Sequence, residues 1–158
     1  MDQRIWFAQQ IKDCEQSLYR LANSILRDED DTQDAAQEAI CLAYQKLVLL
    51  RDKEKFKPWL LKILANTCYS MLRQRQRFVC LDTLPEQEAP ERTETDTPLW
   101  HAVLTLPDSM RAVVVLYYYE GACVKEIAAI LKLSEANVKT RLSRARKQLK
   151  ALLLEETQ

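Results

Sequence analysis

The sequence predicts an all-α protein made of two small helical domains joined by an acidic linker. Three observations carry this. There is a single Gly in 158 residues, against an abundance of Leu, Ala, Gln, Lys and Glu. Tight turns, strand bulges and phosphate loops lean on Gly, whereas those five residue types favour helix. Apolar residues recur at helical spacing, and no window holds a sustained period-2 strand pattern. Between residues 80 and 97 the apolar content drops, and Pro85, Pro90, several Thr and six acidic side chains take over. Such a stretch has no core of its own and reads as a tether. The domains are therefore expected at 5–78 and 98–155, with the linker at 79–97, a size the chain can supply as two small units.

A first helix is expected from Ile5 to Leu26, with Leu18, Leu21, Ala22, Ile25 and Leu26 as its stripe. Asp28-Glu29-Asp30-Asp31 comes next. Acids suit the positive end of a second helix, with Asp30 or Asp31 capping its free N–H groups. That helix is expected to run to about Leu49, with Ala36, Ala39, Ile40, Ala43, Tyr44 and Leu47 inward. A basic loop, Arg51 to Lys55, leads to a third helix with Pro58 in its first turn. Its apolar face is Trp59, Leu60, Ile63, Leu64, Thr67 and Met71, and it ends in the basic run 73–77. Trp59, at helical spacing from Ile63, reads as core rather than as a stacking platform. Phe56, in the loop, is assigned to neither role.

The second half restarts at Pro98 with a short helix over Leu99–Leu104. Pro107 opens another that runs to Tyr119 and stops at Gly121. Val124–Leu131, the turn Lys132-Leu133-Ser134 and a long helix from Glu135, capped by Ser134, form a helix-turn-helix layout. With Val138, Leu142, Ala145 and Leu149 turned inward, Lys139, Thr140, Ser143, Arg144 and Lys147 share the outer face. An α-helix fits the major groove, where Arg grips guanine edges and Ser or Thr bonds either kind of base. Arg141 and Arg146 sit at the flanks, suited to phosphates. The plain alternative is a solvated basic face on a core helix.

Net charge is zero but unevenly spread. Residues 1–50 hold 5 basic and 9 acidic side chains, and residues 51–77 hold 8 and 2. Residues 78–98 hold 1 and 6, and residues 99–158 hold 9 and 6. Blocks of opposite sign point to separate surfaces for separate partners. The 5 Cys contain no CxxC and there is one His, His101. That excludes a disulfide framework and a zinc site, and buried free thiols in a reducing cytoplasm are expected. No cofactor, metal ion or small-molecule substrate is expected. No signal peptide is read, and the apolar run Ala112–Tyr119 is too short to span a bilayer. An enzyme is disfavoured, since no phosphate loop exists and no base stands beside a nucleophile.

The motifs Leu106-Pro107, Tyr117-Tyr118-Tyr119-Glu120-Gly121, Glu126-Ile127-Ala128 and Val138 to Arg146 resemble region 4 of sigma-70-type RNA polymerase factors. The extracytoplasmic-function (group 4) class is the nearest in wording. Independently, Asp34-Ala35-Ala36-Gln37-Glu38-Ala39-Ile40, and Phe56-Lys57-Pro58-Trp59-Leu60 followed by Ile63, Asn66 and Leu72-Arg73, resemble region 2. The sequence departs from the pattern at Lys132, where Gly is common. A non-Gly residue is costly in a left-handed turn, so a differently shaped turn is expected. It departs again at Cys123, where a hydroxyl usually caps, and at Ala35 and Ala36.

The resemblance implies a region 2 helical bundle and a region 4 helix-turn-helix. It implies that Asp31, Asp34, Gln37 and Glu38 dock on a basic coiled coil of core RNA polymerase, with helix capping an equal alternative for Asp31. It implies that Arg51, Lys53, Lys55, Lys57, Lys62, Asn66 and Arg73 hold the single-stranded −10 element. Duplex −35 promoter DNA falls to Lys139, Thr140, Arg141, Ser143, Arg144, Arg146 and Lys147. An anti-sigma factor is a further expected partner. The linker either threads a nucleic-acid channel of the polymerase or is a plain tether. The implied activity is promoter-directed transcription initiation without catalysis by the chain itself. The rival is a self-standing helix-turn-helix regulator, which would normally dimerise on palindromic sites.

Overall fold

The structure, a computed structural model, describes residues 2–79 and 97–156, without the side chains of 77–79 and 156. The described residues are helical, with short 3₁₀ and π turns and no strand among them. The chain divides into two compact units, 1–87 and 88–158. Nearly all of the expected linker, and Cys80, lie outside the described residues.

The first unit begins with α1 (Gln3–Asp13) and α2 (Glu15–Leu26), where the sequence predicts one helix. The break falls at Cys14, with φ −101° and ψ 3°. The reason lies in burial. α1 buries Phe7 alone, whereas α2 buries eight side chains, so nothing in α1 continues the stripe of α2. α3 (Glu29–Gln45) is capped by Asp28, whose carboxylate accepts from the Asp31 N–H at 2.9 Å; Asp30 and Asp31 instead lie in the first turn. It ends four residues before the expected Leu49, and Leu47–Leu49 form a 3₁₀ turn. Leu47 is buried there, while Val48 is 82% and Leu49 69% exposed. Thr32, Ala35, Ala39 and Ala43 make the inward line of α3. Ala36 and Ile40 are half-buried and Tyr44 is exposed, because the inward line runs one residue earlier than expected.

α4 (Phe56–Val79) starts two residues before Pro58. Pro58 is tolerated because the first-turn N–H groups have no intrahelical acceptor. Asp52 accepts from the Glu54 N–H at 3.0 Å and shapes the 3₁₀ turn Lys53–Lys55 before it. Helices α2, α3 and α4 pack on one another around Leu21, Leu26, Leu60 and Leu64, with α1 against α2. Burying one such side chain is worth about 1.5–3 kcal/mol. The structure settles the role left open for Phe56 and places Trp59 at the margin of the core. Phe56 is the core residue, edge-on to Trp6 at 5.3 Å and to Phe7 at 5.8 Å. Trp59 is half-buried on its rim, since Leu60 and Leu64 already occupy the inward positions of α4.

The second unit opens with α5 (Pro98–Thr105), where Thr97 Oγ1 accepts from the Trp100 N–H at 3.1 Å. α6 (Asp108–Val114) runs on into a π turn, Val115–Tyr119, and Gly121 ends it with φ +68°. α7 (Val124–Leu131) and α8 (Glu135–Glu156) complete the unit. Cys123 and Glu126 form a capping box, in which the Glu126 carboxylate accepts from the Cys123 N–H at 3.4 Å and the Cys123 side chain faces the Glu126 N–H. Lys132 adopts the left-handed conformation after all, with φ 58° and ψ 46°. The Leu133 N–H closes the turn on the Ala128 carbonyl at 3.0 Å, which satisfies an otherwise orphaned helix end. Ser134 caps α8 through the Asn137 N–H at 3.1 Å. The core holds Val103, Val113, Leu116, Ile127, Val138, Leu142, Ala145 and Leu149. Arg111 is buried with it, bonded to the Leu106 carbonyl at 2.9 Å and paired with Asp108.

The expectation of buried thiols is half correct. Cys14 and Cys68 are buried, whereas Cys41 and Cys123 are exposed. Burial pushes the Cys68 thiol up to about 12, so it stays protonated and inert. Among the described residues no helix is long and apolar enough to cross a membrane.

Candidate docking and nucleic-acid interfaces

On α3 the inward alanines leave Asp34, Gln37 and Glu38 exposed on the outer side. These two carboxylates and one amide share a face, with Cys41 beyond them. Asp31 is not part of it in the same way. Its side chain is 18% exposed, and its carboxylate pairs with the Arg75 guanidinium of α4. Sequence weighs capping against docking for Asp31 and misses Arg75 as a partner 44 residues away. No local signal reveals it, because both residues look like ordinary surface charges.

The basic set of the first unit falls into two groups. Arg51, Lys53 and Lys55 are exposed around the 3₁₀ turn, with Lys53 Nζ 5.1 Å from the centroid of the Trp6 ring. Lys62, Asn66 and Arg73 are exposed on α4, where spacings of four and eleven residues set them in one stripe. Lys57 is half-buried between the groups. Trp59 precedes Lys62 by three residues and so neighbours it on the helix surface. Its indole is half-buried against the Phe56 ring, at 5.9 Å between centroids.

In the second unit Lys139, Thr140, Ser143, Arg144 and Lys147 are all exposed along the outer side of α8. Thr140 donates its hydroxyl to the Ala136 carbonyl at 3.0 Å and keeps its acceptor capacity. The two flanking arginines are engaged. Arg141 is half-buried, with Nε bonded to Asn137 at 2.9 Å and Nη1 to the Ser109 carbonyl at 3.1 Å, which ties α8 to α6. Arg146 remains exposed, and its Nε donates to the Tyr118 hydroxyl at 2.6 Å. Sequence reveals both cations but not their anchors Ser109 and Tyr118, which lie 32 and 28 residues upstream. Between α5, the π turn and the end of α8 lies an apolar groove of about 470 Å³, lined by Leu99, Val103, Tyr118, Leu149 and Leu153 among others. Among the described residues no group of carboxylate, thiol or imidazole ligands could hold a metal ion.

The units match two family models in chain order: sigma-70 region 2 over residues 11–78 and sigma-70 region 4 over residues 97–149. The region 2 match disfavours a self-standing helix-turn-helix regulator. RNA polymerase sigma factor SigV of Bacillus subtilis is 33% identical over 149 residues, covering 92% of this chain and 90% of that protein. ECF RNA polymerase sigma factor SigM of Mycobacterium tuberculosis is 30% identical, covering 95% and 78%. Among solved structures, the chain resembles the sigma factor RpoE from Bartonella quintana, crystallised with the anti-sigma factor NepR. The TM-score is 0.76 at 26% identity, over 93% of this chain and 96% of that one. It also resembles CnrH in complex with the cytosolic domain of CnrY, with a TM-score of 0.66 at 26% identity over 96% and 89%.

Proposed function

The chain belongs to the sigma-70 family of RNA polymerase sigma factors, and from that membership we propose how its two units divide the work. It is a sigma factor of the extracytoplasmic-function class and directs transcription initiation by RNA polymerase. The observation that carries the division of labour is the match of regions 2 and 4, in order, to two units, the first exposing the carboxylates of α3 and the cations of α4, the second the cations of α8.

In this reading Asp34, Gln37 and Glu38 dock on a basic surface of core polymerase, and Asp31 supports them through Arg75. Arg51, Lys53, Lys55, Lys57, Lys62, Asn66 and Arg73 hold the unpaired −10 strand, with Trp59 available for stacking. Lys139, Thr140, Ser143, Arg144 and Lys147 read the duplex −35 element, while Arg141 and Arg146 address phosphates. The domain limits are 5–78 and 98–155, with 79–97 as the connector. The chain acts without catalysis of its own. Capture of the unpaired strand draws the melting equilibrium toward the open state, and the free energy is that of binding. Each contact is weak alone, and the polymerase joins them by raising effective concentration. The site of action is the cytoplasm. An anti-sigma partner is proposed because RpoE was solved with NepR.

Run-off transcription with core polymerase on a randomised promoter library tests this reading. Defined start sites sharing a −35 and a −10 element are expected. Failure to direct any defined start, with no inhibitor present, overturns it.

A further inference from the structure

The π turn Val115–Tyr119 is closed by wide bonds, Glu120 N–H to the Val115 carbonyl at 3.2 Å and Ala122 N–H to the Leu116 carbonyl at 2.9 Å. A π turn adds a residue to the helical register and rotates the chain beyond it, and such turns concentrate at functional sites. Here Tyr117 and Tyr118 stand edge to face with ring centroids 4.9 Å apart. The Arg146 Cζ lies 5.5 Å from one centroid and 5.9 Å from the other. Its Nε–H donates to the Tyr118 hydroxyl at 2.6 Å.

Arg111 shows what a purely structural arginine looks like in this unit: buried, bonded to a carbonyl and paired with a carboxylate. Arg146 differs on every point. It is exposed, its partners are phenols, and no carboxylate among the described residues neutralises it. The phenols raise its pKa, with the Tyr118 hydrogen bond the main cause, so it is charged at every working pH. A full positive charge is thus oriented but left without a counter-ion. The guanidinium has five N–H donors, and the bond to Tyr118 uses one of them. The remaining fork suits an anionic oxygen pair such as a phosphate. Arg146 lies three residues past Ser143 and next to Lys147, at the flank of the base-reading side of α8.

We propose that Tyr118, seconded by Tyr117, is a positioning residue for −35 recognition that holds the Arg146 guanidinium in place for a backbone phosphate of the duplex. The proposal rests on the reading of α8 as the duplex-reading helix. Ordering a long side chain before binding removes part of the entropy that binding would otherwise lose.

The test uses the full chain and a labelled −35 promoter duplex over a series of salt concentrations. Tyr118→Phe is expected to weaken binding by about three- to tenfold, as freeing one long side chain implies. Its salt slope stays at the wild-type value, because no charge is lost. Arg146→Ala weakens binding and lowers the salt slope by about one. Adding Tyr118→Phe to Arg146→Ala brings no further loss, the signature of a residue acting through its partner. Wild-type binding by Tyr118→Phe overturns the proposal, and so does an equal loss in both backgrounds. Arg144→Ala separates the two levels. If it weakens binding while Tyr118→Phe does not, only the positioning role falls. If neither Arg144→Ala nor Arg146→Ala changes binding or its salt slope, the reading of α8 falls and the positioning role with it.

Discussion

The two units deploy their cations differently. On α8 the flanking arginines are pinned: Arg141 to Ser109 and Asn137, Arg146 to Tyr118. On α4 Lys62, Asn66 and Arg73 extend from one stripe into solvent, and Lys53 rests on an indole. The difference matches the ligands proposed for them. A duplex is stiff, and phosphates at fixed positions along it reward cations held in place. A single strand adapts to its groove, so a compliant row of charge with a stacking ring is enough. α3 itself contributes mainly small residues, Ala35, Ala39 and Ala43, to a core whose large side chains come from α2 and α4.

The largest expected effect separates the units by stability. Leu64 is fully buried in the first unit, and Leu64→Ala should remove about 2–5 kcal/mol from it. Thermal unfolding should show one destabilised transition while −35 duplex binding by the full chain persists. Loss of both together would break the contrast. Next is the acidic face. Glu38→Arg sets like charges against a basic partner, and binding to core polymerase should fall at least about tenfold, or roughly 1.4 kcal/mol or more. A polymerase pull-down and titration would check it, with duplex binding unchanged. The DNA surfaces then sharpen the contrast. Arg144→Ala should cost about 1–3 kcal/mol and relax sequence preference at one −35 position. Lys62→Ala should weaken −10 strand capture evenly across sequences and lower the salt slope by about 0.7. The smallest effect lies in the turn. Lys132→Gly relieves a left-handed residue and should raise the stability of the second unit by up to about 1 kcal/mol, read by denaturant unfolding.

Much of this architecture is legible because periodicity is a local signal. The inward line Val138, Leu142, Ala145 and Leu149 follows from spacing alone, and with it the outward set on α8. The Ser134 cap and the Gly121 stop are equally local. The break at Cys14 stays hidden because α1 and α2 carry the same helix formers and differ only in what they bury. Spacing brings Trp59 to the edge of the core, against Phe56, but leaves Phe56 itself open, because periodicity does not rank aromatics that lie near the same stripe by burial. The Asp31–Arg75 pair and the Tyr118–Arg146 bond join residues far apart in sequence, so only tertiary structure reveals them. From sequence the αL conformation of Lys132 looks too costly, yet the bond from Leu133 to Ala128 holds it there.

Ala35, Ala39 and Ala43 are fully shielded and end at Cβ. A methyl group occupies little space, so the α3 backbone can lie close against the helices it packs on. A bulkier residue at any of the three would have to push α3 off its neighbours or displace their side chains, an overpacking that typically costs about 1–3 kcal/mol.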